Sequence, residues 1–159
     1  MEISATADHN FSVPASPDQT FALVSDVPDS VAHFPGLERL DGAGPGAWRW
    51  TLNRIGSGKL SLQTIYTCRY TSDARTQGVQ WEAADGPTDN ARVSGAWTIT
   101  AEGTGARVRL VNTLTVTVTV PRLMRRPAEA LVRRENERLI QRYVENIQAT
   151  LRGGDGRVR

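Results

Sequence analysis

The chain has 159 residues, 39% of them hydrophobic and 23% charged, with a formal net charge of +2. That composition describes one folded domain with enough chain to bury a core, and it argues against disorder. No apolar run approaches the roughly 20 residues of a membrane-spanning helix. The opening residues lack the basic and apolar regions of a secretory signal, and the lone Cys68 excludes an internal disulfide and fits a reducing cytoplasm.

The first strand is predicted where Ile3, Ala5, Ala7, His9, Phe11 and Val13 alternate with small polar residues. Ser16 followed by Pro17 reads as an N-cap with proline at the first helical position. A short helix through Phe21, Leu23 and Val24 follows, then a second over Asp29 to Phe34, closed by Pro35-Gly36. Short strands separated by turn residues come next, at Leu37–Leu40, Ala47–Ile55, Leu60–Tyr70, Val79–Ala83 and Val93–Ile99. The last strand, Arg107–Val120, puts Val108, Leu110, Leu114, Val116, Val118 and Val120 on one face and Arg109 with a row of threonines on the other. Pro121 ends its ladder, having no N–H to donate. A helix is predicted from about Met124 to Leu151, about 40 Å long at 1.5 Å per residue. Residues 1–152 read as a single domain and 153–159 as a disordered polar tail.

Two stretches carry a resemblance. Val13-Pro14-Ala15, Phe21, Val24, Asp26 and Phe34-Pro35-Gly36-Leu37 form one, and Gly95-x-Trp97 with Gly103-Thr104 ahead of the last strand forms the other. Together they resemble the START-like superfamily, which includes polyketide cyclase/dehydrase-like, ubiquinone-binding-like and plant-allergen-like members. The resemblance implies an α+β helix-grip fold: a seven-stranded curved antiparallel sheet around a long C-terminal helix, two short helices after the first strand, and a hydrophobic ligand cavity between sheet and helix.

Candidate site residues are polar groups that interrupt apolar faces. His9 does so on the first strand and Asn112 on the last; pairing Ile3 near Val118 would set them opposite each other. They then satisfy one another or a ligand, because a buried polar group without a partner costs about 1–3 kcal/mol. Asn136 falls within the helical stripe Ala128, Val132, Leu139, Ile140, Tyr143 and Ile147. Arg125 and Glu129, nearer the helix start, are candidates for the cavity mouth. Of the large rings, Trp81, Trp97 and Tyr143 are the expected ligand contacts. His33, at the end of the second short helix, reads as a surface residue beside the cavity entrance.

With two histidines and one cysteine the chain has no zinc or Rieske ligand set, and it contains neither a nucleophile elbow nor a phosphate loop. No metal or cofactor is expected. The leading expectation is a non-enzymatic carrier or sensor of a hydrophobic small molecule (lipid, quinone or polyketide-like). A second is an aromatase/cyclase or dehydratase in which His9 or a tyrosine moves a proton. The third is an interaction module built on the C-terminal segment, since residues 122–159 carry ten arginines against five acids. That basic helix suits a partner protein, a ribosome or an anionic membrane, and DNA is not expected. Pairing of its arginines with Glu135, Glu137 and Glu145 is the plainer expectation.

Overall fold

The computed structural model describes residues 1–158. The order of elements is β1 (Glu2–Val13), α1 (Pro17–Ser25), α2 (Val27–Val31), β2 (Leu37–Gly42), β3 (Ala47–Leu52), β4 (Ile55–Ser57), β5 (Leu60–Leu62), β6 (Ile65–Asp73), β7 (Gly78–Ala83), β8 (Ala91–Glu102), β9 (Gly105–Thr117) and α3 (Arg125–Leu151). Seven strands form one antiparallel sheet in the order β1-β9-β8-β7-β6-β3-β2, and β4 and β5 make a separate hairpin. The expected α+β helix-grip architecture, seven strands with a long C-terminal helix, is what the chain adopts.

Local chemistry sets the element boundaries. Ser16 Oγ accepts from the Gln19 N–H while Gln19 Oε1 accepts from the Ser16 N–H, a reciprocal capping box that starts α1 behind Pro17. Asp26 ends α1 and caps α2 through the Asp29 N–H. The second helix therefore begins at Val27, two residues earlier than the sequence pattern suggests. The stretch expected as one strand to Ile55 ends at Leu52, and the segment around Gly56-Ser57-Gly58 folds on itself as β4–β5. Gly56 (φ 84°) is required there: a Cβ would lie 2.1 Å from the Leu60 carbonyl oxygen.

The first and last strands pair antiparallel with Ile3 opposite Val116, not Val118. His9 therefore faces Leu110, and Asn112 faces Ala7. A slip of two residues leaves every side chain on its expected face, so the apolar alternation permits either register.

The core lies between the inner sheet face and α3, whose buried residues are Ala128, Leu131, Val132, Leu139, Ile140, Tyr143, Val144 and Ile147. Between Val132 and Leu139 the helix buries nothing. Of the tail expected as disordered over 153–159, residue 159 lies outside the described residues and the rest bonds back onto the domain. The Gly156 N–H donates to Thr150 Oγ1 at 2.9 Å and the Val158 N–H to the Ala32 carbonyl at 2.7 Å. His33, expected at the surface, is 0% exposed. Its Nδ1 lies 2.8 Å from the Asp29 carbonyl and its Nε2 2.7 Å from Thr150 Oγ1, so it ties α2 to the end of α3.

Candidate functional site

Two lobes of a cavity lie between the sheet and α3, sharing Phe34, Tyr66, Val93, Asn112 and Ile140 in their walls. The inner lobe is bounded by α1 and α2 on one side and by Trp50, Tyr70, Trp81 and Trp97 of the sheet on the other, and Tyr143 of α3 closes it. The outer lobe is bounded by Leu52, Ile55, Leu114, Val132 and Leu139, with Asn53, Thr64, Glu135 and Asn136 at its polar rim. It occupies the stretch where α3 buries no side chain. The free space is about 40 Å³ in the inner lobe and about 50 Å³ in the outer. Each has room for a few waters, since one needs roughly 10–15 Å³ measured this way.

Ring packing limits that space. Trp50 stacks on Tyr66 at 5.4 Å, Phe34 meets both Trp50 and Tyr143 edge-on, and Tyr143 meets Trp97 at 5.7 Å. Tyr70 lies tilted against Trp81. Contacts of this kind contribute about 0.5–1.5 kcal/mol each beyond their buried area.

The polar atoms of the inner wall are mostly paired. Trp50 Nε1 donates to Tyr70 Oη at 3.0 Å, Trp81 Nε1 donates to Asn112 Oδ1 at 3.0 Å, and Ser30 Oγ is hydrogen-bonded to Tyr143 Oη. An indole N–H can only donate, so the contact with Trp81 fixes the Asn112 amide with its oxygen toward the ring. Asn112 Nδ2 is left free to donate, and it makes no hydrogen bond among the described residues. Tyr66 Oη likewise makes none among the described residues and stands on the same shared wall. Burial raises the ionisation of Tyr66, Tyr70 and Tyr143 well above the ordinary tyrosine range, so these phenols stay protonated. Burial also pushes the Cys68 thiol up to about 12, with Asp89 adding to the effect.

Gly95, part of the Gly-x-Trp signal, is what lets Trp81 lie over the sheet. Its Cβ would fall 2.7 Å from Trp81 Cζ2 and 2.3 Å from the Val111 carbonyl oxygen.

Of the residues singled out in the sequence, Trp81, Trp97, Asn112 and Tyr143 come together around the inner lobe, and Asn136 stands in the outer one. Three do not join them. His9 lies on an edge strand of the sheet, where its side chain, 20% exposed, reaches α3 with Nε2 3.0 Å from Glu137 Oε1. It lines neither lobe. Glu129 pairs with Arg133 on the helix surface at 2.6 Å. Arg125 is exposed and also outside both lobes. The rim is set instead by Asn53, Thr64, Glu135 and Asn136. Glu135 is visible in the sequence as an acid on the helix, but nothing in its spacing separates it from the solvated acids around it. Tyr66 is visible as one of many apolar-face rings; its free hydroxyl depends on packing that spacing does not encode.

A seven-stranded antiparallel sheet gripping a C-terminal helix, with a ring-walled cavity between them, is the helix-grip fold. The chain belongs to the family of polyketide cyclases/dehydrases and lipid transport proteins, whose model matches residues 4–152. No curated protein matches it. Among solved structures it is similar to TTHA0849 from Thermus thermophilus, at 22% identity over 92% of this chain and 98% of that one, with a TM-score of 0.60. It is also similar to the Zhui aromatase/cyclase from Streptomyces sp. R1128, at 18% identity over 95% and 99% of the two chains (TM-score 0.62). A START superfamily protein from Mycobacterium smegmatis matches at 14% identity over 92% and 98% (TM-score 0.64). At these identities the likeness is one of fold.

Proposed function

We propose that the chain binds a largely apolar, ring-bearing small molecule carrying a carbonyl or hydroxyl group, of the quinone or polyketide kind, and acts as a carrier or sensor without transforming it. The observation that carries this reading is a chamber walled by rings in which Asn112 Nδ2 and Tyr66 Oη remain unpaired among the described residues. Flat ligands stack on such walls, and an oxygen on the ligand would accept from the two free donors. Burying roughly 300 Å² of apolar ligand surface yields about 7 kcal/mol before association costs.

The free space is too small for such a guest with the rings as they stand, so binding requires the shared wall to open. Displacing two ring contacts costs about 1–3 kcal/mol, which the burial of the ligand exceeds. Ordinary ligand pockets run from about 300 Å³ upward, so the movement of the wall has to supply most of that volume beyond what the two lobes hold.

Binding is placed ahead of an aromatase/cyclase role because neither histidine reaches the chamber and the tyrosines that do are held protonated by burial, which removes them as bases. Neither histidine lines the chamber: His9 is engaged by Glu137 and His33 by Thr150. The carboxylate on the rim, Glu135, is held by two nitrogens of Arg138 at 3.1 and 2.9 Å.

Trp50, Trp81 and Trp97 report on the inner lobe, so the test is titration with a naphthoquinone bearing an isoprenoid chain, followed by tryptophan fluorescence. Saturable quenching that weakens about tenfold in Asn112→Leu, the contribution of one buried hydrogen bond, supports the reading. Absence of saturable quenching, together with no small molecule extracted from the purified protein, overturns it.

A further inference from the structure

Leu123 is 91% exposed, the most exposed large hydrophobic side chain among the described residues. It sits in the 3-10 turn Arg122–Met124 that joins β9 to α3. Arg122, Arg125 and Arg126 surround it in sequence, all exposed, and none of the three pairs with a carboxylate among the described residues. Farther along α3 the arrangement differs: Arg133, Arg138 and Arg142 are matched by Glu129, Glu135 and Glu145. The first turn of α3 holds no acid, so three positive charges crowd the positive end of the helix, where they destabilise it. Met1, also exposed, joins the same edge through its ammonium, which donates to the Val118 carbonyl at 2.8 Å.

We propose that this end of the molecule docks on an anionic lipid bilayer, with Leu123 entering the acyl boundary and Arg122, Arg125 and Arg126 lying against lipid phosphates. The pairing of one fully exposed apolar side chain with unneutralised arginines matches a surface that is apolar beneath and anionic above. Nucleic acid would use the arginines and leave Leu123 without a role. A folded protein partner would need roughly 800 Å² of complementary surface on each side, more than a single helical turn presents.

Position gives the docking a use. Val132 and Thr64 belong both to the outer lobe and to a surface groove that includes Arg54, Leu62 and Val116 to Thr119, the segment leading into the Leu123 turn. Arg126 is six residues before Val132, about 9 Å along the helix. The rim of the chamber thus opens beside the surface that would meet lipid. Docking itself does not depend on what the chamber holds.

The test is co-sedimentation of the full chain with vesicles of phosphatidylcholine alone or containing about one-third phosphatidylglycerol. Binding is expected to the anionic vesicles only, and to fall at least tenfold as salt rises from about 0.05 to about 0.5 M. Leu123→Gln leaves the charge unchanged and should weaken binding about tenfold. Arg125→Gln and Arg126→Gln should each weaken it roughly fivefold, whereas Arg75→Gln, on the loop after β6, should not. Equal binding to neutral and anionic vesicles, or none to either, overturns the proposal. So does unchanged binding by Leu123→Gln, or a preference for RNA that depends on the arginines and not on Leu123. Quinone quenching retained in Leu123→Gln keeps this outcome separate from that of the chamber.

Discussion

The two lobes of the chamber are built on opposite terms. The inner one is braced: its rings touch edge to face, and three hydrogen bonds tie Trp50 to Tyr70, Trp81 to Asn112 and Ser30 to Tyr143. The outer one is lined by aliphatic side chains and a polar rim, beside a hairpin that is not part of the main sheet. Packing of the first kind fixes orientation, because moving one ring breaks contacts with several. Packing of the second kind gives way at little cost. The contrast makes the inner lobe the more rigid of the two and the outer the more yielding.

Gly95→Ala should have the largest effect. Its new Cβ collides with the Val111 backbone and with Trp81, so overpacking and loss of the Asn112 contact add to a destabilisation of roughly 2–5 kcal/mol. A denaturant midpoint close to that of the parent would show that the inner lobe is not braced through Trp81. Trp81→Phe removes the donor and keeps a ring, leaving Asn112 Oδ1 without a partner at a cost of about 1–3 kcal/mol. If stability were unchanged, Asn112 would have other means of satisfaction.

Alkali should lower the stability of the fold. The Cys68 thiol is held up to about 12 in the fold against an ordinary value of 9.0. Above pH 9 the unfolded chain releases that proton while the folded one keeps it. Stability is therefore fully present below pH 9 and falls by about 1.4 kcal/mol per pH unit between pH 9 and about 12 for this group. Tyr66, Tyr70 and Tyr143, raised in the same direction, steepen the fall above pH 10. Chemical denaturation of Cys68→Ala should show a shallower decline between pH 9 and 10, and an identical slope would contradict it. At the outer lobe, Asn136→Leu should move the midpoint by less than about 0.5 kcal/mol, as substitutions away from packed features do. A loss above 1 kcal/mol would mean that this lobe is braced as well.

The sequence makes the element order legible because alternation in β1 and β9 and the 3.6-residue stripe of α3 are long enough to be unambiguous. It does not fix the β1–β9 register, since period two is indifferent to a shift of two residues, and the expected meeting of His9 with Asn112 depends on that shift. It also cannot tell an edge strand from an inner one, which is why His9 turns toward Glu137 while Asn112 on the adjacent strand faces the chamber. The burial of His33 is not legible because α2 is five residues long, too short to display a face. Asn112 is recognisable as a polar exception on an apolar face, whereas Trp81, Trp97 and Tyr143 are legible only as large rings among several. That Trp81 engages the oxygen of Asn112 and leaves its nitrogen free is a matter of three-dimensional placement.

The small segment beyond α3 carries a consequence for how the molecule is handled. By gripping Ala32 and Thr150, residues 156 and 158 clasp the underside of α2, and α2 supplies Val27, Ser30 and Val31 to the chamber. Anything that tugs on this clasp, such as a fused domain or a clipped peptide bond, is transmitted to the floor on which a guest would rest.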